Sequence, residues 1–210
     1  MNYKFWLAHP HLILARLNYW IWEQLNQDKP WMCPGTIDFC QQQFQGSLKA
    51  LEFGSGRSTQ WFSRLTEHLT SIEHSSEWYS IAQAKLQSLG ISNVNYLCIP
   101  LNHPETEPES SQYNPLPDYV KVLEQFEDGA LDFVIVDGHY RTTCIMHSIP
   151  KIRDGGYLLV DDVNMWPSLK SLAIPTNWQI ANDSTNGIKR CVIWQKSTDR
   201  ANLADRAESF

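Results

Sequence analysis

Three stretches of the chain concentrate residue types that can do chemistry. The first is LEFGSGRST, Leu51 to Thr59, where one residue separates Gly54 from Gly56. Two glycines so spaced make a tight turn that a ligand can approach closely. A helix following the turn would present unpaired N–H groups. A dinucleotide turn wants a third glycine where Thr59 stands, and a phosphate loop wants a lysine where Arg57 precedes Ser58. Glu52, two residues before Gly54, would repel a pyrophosphate and suit a cationic ligand. The second stretch is LTSIEH, whose Glu73 lies 17 residues beyond Gly56. That is close to the spacing of ~20 expected of a carboxylate that grips ribose hydroxyls. Such a carboxylate accepts from both hydroxyls at once.

The third is a pair of apolar runs with acidic ends. LDFVIVDGHY delivers Asp137 and His139, and GGYLLVDDV delivers Asp161 and Asp162. Three carboxylates on one edge repel each other unless a cation sits among them. Oxygen ligands of this kind suit Mg²⁺, Mn²⁺ or Ca²⁺. Aspartates that only cap turns or helices are the plainer alternative. His139 has the side chain best suited to take a proton from a hydroxyl near neutral pH, with a turn histidine bonded to backbone as its alternative. His9, His11, His68, His74, His103 and His147 show no metal-ligand spacing, and no Gly-x-Ser-x-Gly elbow supports acyl hydrolysis.

These residues need a scaffold that brings them together. Leu48–Phe53, Leu69–Glu73, Val94–Ile99, Leu131–Val136 and Tyr157–Val160 read as strands. Helices are expected over Thr59–Leu69, Glu77–Leu89 (closed by Gly90), Asp118–Phe126 and Thr142–Arg153, with a short one near Trp166. Trp178–Ala181 and Lys189–Lys196 read as a hairpin around Asn186-Gly187. The alternation predicts an α/β, Rossmann-like sheet, mostly parallel with a terminal antiparallel hairpin and helices on both faces. Ligands of such sheets sit at the carboxyl ends of the strands. Leu14, Leu17, Ile21 and Leu25 predict a helix over Leu12–Gln27, and a second, shorter one follows at Thr36–Phe44. The organisation expected is an N-terminal helical segment (1–46), a main domain (47–197) and a polar tail (198–210). The aromatic N-terminal segment either packs on the main domain or covers a substrate pocket, as the polar Asn102–Pro117 loop also would.

With 210 residues, 42% of them hydrophobic, the chain suits one globular domain. A net charge of -6 and the absence of a basic run argue against nucleic acid or an anionic membrane as partner. The 9 tryptophans are a large aromatic payload for a core or an organic ligand. Five cysteines without a CxxC pair point to free thiols in a reducing compartment, and neither a signal segment nor an apolar span is evident. A cytoplasmic protein is expected.

Glu52-Phe53-Gly54-Ser55-Gly56, followed by Glu73, resembles the signature of the class I S-adenosylmethionine-dependent methyltransferases. KRCVIWQK resembles the last strand of that family's sheet, and the likeness runs from Ser47 to about Ser197. It implies that Gly54 and Gly56 pass under the methionine part, that Glu73 holds the ribose, and that Glu52 lies near the amino group. Ser55, Ser58, Thr59, His74 and Asp137 would complete the cofactor site. Pro100-Leu101-Asn102 stands where the family often carries a polar or acidic residue for adenine. The Asp…Asp-Asp pattern is similar to the metal site of macrocin-type sugar O-methyltransferases. It also resembles that of catechol and caffeoyl-CoA O-methyltransferases, where the last position is usually Asn. That likeness implies Asp137, Asp161 and Asp162 as ligands of Mg²⁺ or another divalent cation, with His139 and Asp137 catalytic. The chain departs from those families in having no recognisable substrate-recognition insert. The expected activity is O-methylation of a small hydroxylated acceptor, a sugar or an aromatic, in a monomer or homo-oligomer. A cofactor- or nucleotide-binding module without activity and an NAD(P)-dependent oxidoreductase are the alternatives.

Overall fold

Side chains alternate along the central strands and divide the core in two. Leu51, Phe53, Val134, Val136, Leu158, Val160, Val192 and Trp194 point into one apolar layer. Ala50, Phe133, Ile135, Leu159, Cys191 and Ile193 point into the other. Strands buried on both faces need cover on both, which is why their sequence runs apolar almost without interruption. The computed structural model describes residues 10–44, 46, 48–105 and 113–198.

Seven strands form one sheet: β1 (Leu48–Phe53), β2 (Thr66–Glu73), β3 (Val94–Cys98), β4 (Leu131–Val136), β5 (Ile152–Val160), β6 (Gln179–Thr185) and β7 (Arg190–Gln195). Their order is β3-β2-β1-β4-β5-β7-β6. The first five are parallel, and β7 runs antiparallel between β5 and β6. This is the expected Rossmann-like sheet with its terminal hairpin. Around it lie α1 (Pro10–Leu25), α2 (Pro34–Gln43), α3 (Arg57–Phe62), α4 (Ser76–Ser88), α5 (Asp118–Lys121) and α6 (Arg141–Ser148). Residues of α2 and α3 fill one layer, and those of α5 and α6 fill the other. Among the described residues no helix is long and apolar enough to cross a membrane.

Two expected helices are shorter than their patterns suggest. The helix expected over Thr59–Leu69 spans Arg57–Phe62, and β2 already begins at Thr66. Parallel pairing of Thr66, His68 and Leu69 with Leu48, Lys49 and Ala50 outweighs helix propensity there. The helix expected over Thr142–Arg153 ends at Ser148, one residue before Ile149-Pro150, and Ile152–Arg153 open β5. A proline cannot continue a helix and restricts the residue before it. Gly90 follows α4 with φ +66°, the left-handed stop that its position predicts. The tail expected at 198–210 lies, but for residue 198, outside the described residues, as do the aromatics at 3, 5 and 6.

Candidate functional site

Register places the candidate residues in one row. Phe53 of β1 aligns with Ile72 of β2 and with Val136 of β4, and Val136 aligns with Val160 of β5. The next residue on each strand is Gly54, Glu73, Asp137 or Asp161. Gly54 N donates to Ile72 O (3.0 Å), Asp137 N to Phe53 O (2.9 Å) and Asp161 N to Val136 O (3.0 Å), so the row is locked by backbone. Four elements therefore deliver their polar ends to one edge, on a scaffold fixed by the core beneath.

Gly54 is required by crowding. Its φ is +88°, and a Cβ there would stand 2.7 Å from Asp137 O and 2.8 Å from Gly138 Cα. Gly138 is equally hemmed in, since its Cβ would meet Tyr119 Oη at 2.3 Å. Gly56 differs: a Cβ there would find only Trp78, at 3.9 Å. Among the described residues nothing else crowds position 56, so a side chain there would extend into space that a ligand could occupy.

Glu52 is fully buried beneath this turn. Its Oε2 accepts from Thr59 Oγ1 and Ser71 Oγ, both at 2.6 Å, while Thr59 Oγ1 accepts from Gly56 N at 3.0 Å. Thr59 and the buried Ser58 thus brace the turn from below rather than line open space. Among the described residues Oε1 of Glu52 meets no donor within hydrogen-bond geometry. Burial pushes the Glu52 carboxyl up to about 7, against the pull of the neighbouring hydroxyls of Ser58, Ser71 and Thr59. The folded state therefore holds a proton that the unfolded chain releases near 4.5. Stability falls as pH rises from about 4.5 through about 7, by an amount on the order of 3 kcal/mol. Urea unfolding of wild type and Glu52→Gln across that window is expected to show the wild type losing stability relative to the variant as pH rises. Parallel curves would remove the buried carboxyl as the cause.

Glu73 is nearly buried, and its oxygens are well supplied. Oε1 accepts from the N–H groups of His74 and Ser75 (2.8 Å each) and lies 2.9 Å from His74 Nδ1. Oε2 accepts from Ser55 Oγ at 2.7 Å, and that hydroxyl also lies 2.6 Å from Tyr96 Oη. Oε2 retains lone-pair capacity for a further donor. The carboxylate is held rigidly, and one oxygen remains able to accept from a ligand hydroxyl.

His74 and His139, just beyond the ends of the two flanking strands, stand with their ring centroids 4.1 Å apart. His74 is lowered from the ordinary histidine value, by burial first and then by His139 opposite it. His139 Nδ1 is hydrogen-bonded to Glu105, whose other oxygen accepts from Tyr140 N. Tyr140 sits at φ +50°, a conformation unusual for a bulky side chain. Its hydroxyl donates to His103 O (2.7 Å), which fixes it there. A carboxylate on Nδ1 sets the tautomer and leaves Nε2 as the basic nitrogen. Glu105 was not expected from the sequence: it lies 34 residues before His139 in a polar loop, with no periodic pattern to mark it.

The three aspartates do converge. Asp137, Asp161 and Asp162 each place an oxygen within 4.8 Å of the others. The cations among them belong to the chain. Lys189 Nζ lies 2.9 Å from Asp161 Oδ2 and 3.3 Å from Asp162 Oδ2. Arg141 reaches Asp137 at 3.5 Å and Asp162 at 3.9 Å, and donates to Asp161 O at 2.6 Å. The other oxygen of the fully buried Asp161 accepts from Cys191 Sγ. Every Asp161 oxygen thus has a donor, and an ammonium stands between the two paired carboxylates. These residues do not fit a divalent ion as they stand. Poor hydration and then Asp161 raise the Asp137 carboxyl well above its ordinary value, and the same causes raise Asp162. Burial disfavours the charge on Lys189, yet the carboxylates around it raise its pKa above the ordinary lysine value. Arg141 was legible in principle, four residues beyond Asp137 at the start of a helix. Lys189, in the far hairpin, was not.

The N-terminal segment borders this edge. Arg16, Tyr19, Glu23, Trp31, Arg57 and Lys189 line a cleft of about 400 Å³. Tyr19 is buried and donates to Met32 O, and Arg57 stacks on Trp31 at 4.9 Å. The segment both packs on the main domain and walls a cleft beside the strand ends.

No family model matches the sequence, and no curated protein matches it. Solved structures do. A methyltransferase-like protein from Silicibacter pomeroyi is 20% identical, with a TM-score of 0.58 over 84% of this chain and 94% of its own. A candidate methyltransferase from Streptococcus mutans, solved in complex with SAH, is 12% identical (TM-score 0.54, 77% of this chain and 95% of its own). An rRNA methylase from Streptococcus thermophilus is 11% identical (TM-score 0.54, 78% and 95%). The fold of this chain is the Rossmann-like fold of S-adenosylmethionine-dependent methyltransferases.

Proposed function

We propose that the protein is an S-adenosylmethionine-dependent methyltransferase acting on a hydroxyl of a small acceptor. The observation that carries the reading is the row at the strand ends: the glycine turn at Gly54–Gly56 beside a rigidly held Glu73 with accepting capacity left at Oε2, on a methyltransferase-type sheet. Glu73 Oε2 would accept from the ribose, and Glu52 Oε1, which has no hydrogen-bond partner among the described residues, would face an ammonium reaching the turn. When bound, S-adenosylmethionine supplies an electrophilic methyl group. The chain's own part is to hold an acceptor oxygen in line, to exclude water, and to take the hydroxyl proton. Positioning of this kind contributes as much as ~7–11 kcal/mol. His139 takes the proton at Nε2, with Glu105 holding the imidazole and stabilising its charge.

The cleft bordered by Tyr19, Trp31 and Arg57 is the acceptor site in this reading. Its aromatic faces suit a sugar or an aromatic hydroxyl, and the net charge of -6 disfavours RNA. The test is transfer of a labelled methyl to panels of phenolic and sugar acceptors, run beside Glu73→Ala. The variant is expected to bind S-adenosylmethionine more weakly by ~1–3 kcal/mol, the usual loss for a charged hydrogen-bonding group. An unchanged dissociation constant would take Glu73 out of the site.

A further inference from the structure

We infer that Lys189 stands in this chain where a divalent cation would sit, so that the aspartate cluster works without metal. The inference deepens the proposed methyltransferase reading, but its geometry is independent of it. Three carboxylates brought within 4.8 Å of one another need positive charge nearby. Two places can supply it, solvent-borne metal or the chain itself.

The chain supplies it from two sides. The Lys189 ammonium donates to Asp161 Oδ2 at 2.9 Å and to Trp31 O at 3.1 Å, and pairs with Asp162 Oδ2 at 3.3 Å. Three oxygens thus gather around its charge, as they would around a metal ion. Arg141 covers the opposite side through Asp137, Asp162 and the Asp161 carbonyl. A metal ion drawing on Asp161 and Asp162 would have to displace Lys189. That would part the half-buried ammonium from the fully buried Asp161 carboxylate, which is unfavourable.

The Trp31 bond gives this arrangement a consequence for the acceptor. Lys189 joins the carboxylates at the end of β5 to the backbone at Trp31, whose ring lies against Arg57 just after the glycine turn. Lys189 is thus a positioning residue. It gives the paired carboxylates a cationic partner and pins the wall of the acceptor cleft to the strand ends. A bare ion held by the same carboxylates could not donate a hydrogen bond to that carbonyl.

The test is Mn²⁺ binding, followed by electron paramagnetic resonance and calorimetry on the full chain. Wild type is expected to bind no Mn²⁺ at one per chain. Lys189→Met keeps most of the aliphatic stem and removes the ammonium. It is expected to melt roughly 10 °C lower, because the fully buried Asp161 carboxylate loses its half-buried partner, and to take up one Mn²⁺ that restores part of that loss. Adding Asp162→Asn should abolish the uptake. Stoichiometric Mn²⁺ binding by wild type, lost in Asp162→Asn, would overturn the inference, because the carboxylates would then be a metal site despite Lys189. So would a folded Lys189→Met that takes up no Mn²⁺. If Lys189→Met does not fold with or without Mn²⁺, the wild-type titration decides alone, with binding overturning the inference and no binding supporting it. None of these readouts requires methyl transfer, so failure of the proposed function would show separately, as absent cofactor binding or turnover.

Discussion

Replacing His139 by alanine is expected to lower kcat by about 10²–10⁴-fold, the range a positioned acid–base group contributes. Cofactor affinity should stay near the wild-type value, because the imidazole acts on the acceptor proton. Glu105 meets only the Nδ1 side of the ring, together with Tyr140 N. Glu105→Gln should therefore cost less than His139→Ala, because the imidazole itself stays in place while one of its supports is weakened. Stopped-flow or steady-state kinetics with any acceptor found in the panels will read both effects. A His139→Ala enzyme with wild-type kcat would leave the histidine as a turn residue hydrogen-bonded to its neighbour, the plainer reading of its position.

The other large effect is expected at Gly56. Valine at this position should abolish measurable S-adenosylmethionine binding while the chain stays folded. The expectation rests on a contrast between neighbours. Gly54 is forced by a positive φ and by the backbone of Asp137 and Gly138, so any side chain there harms the fold. At Gly56 a Cβ meets only the Trp78 ring, at an ordinary van der Waals distance of 3.9 Å. A side chain there intrudes on ligand space without intruding on protein. Circular dichroism and calorimetry on the same preparation separate the two. A folded Gly56→Val that binds with wild-type affinity would place the cofactor elsewhere.

Much of this was legible in the sequence because strands buried on both faces are nearly unmixed runs of apolar residues. Leu131–Val136 is one such run, and the residue that ends it, Asp137, lands at the edge where ligands bind in such sheets. The paired glycines and Glu73 were legible for the same reason: each directly follows or ends a strand. Boundaries were harder where two patterns overlap. Thr66 to His68 continue a helical stretch by composition, but only their pairing with β1 makes them strand. The partners of the site were hardest. Lys189 meets Asp161 across 28 residues, and Glu105 meets His139 across 34. Neither pair has a local spacing, because the sheet order rather than the sequence brings them together. Charge balance still signalled the first: three strand-end carboxylates demanded a cation, and the sequence left open which one. The cation seen in the structure is a lysine.

The central claim is that the strand-end row binds an S-adenosyl ligand, and titration of wild type with S-adenosylhomocysteine tests it most directly. One molecule is expected to bind per chain with or without EDTA, more weakly in Glu73→Ala and not at all in Gly56→Val. No heat with S-adenosylhomocysteine, together with saturable binding of NADH or NADPH, would contradict it and identify the glycine turn as a dinucleotide site.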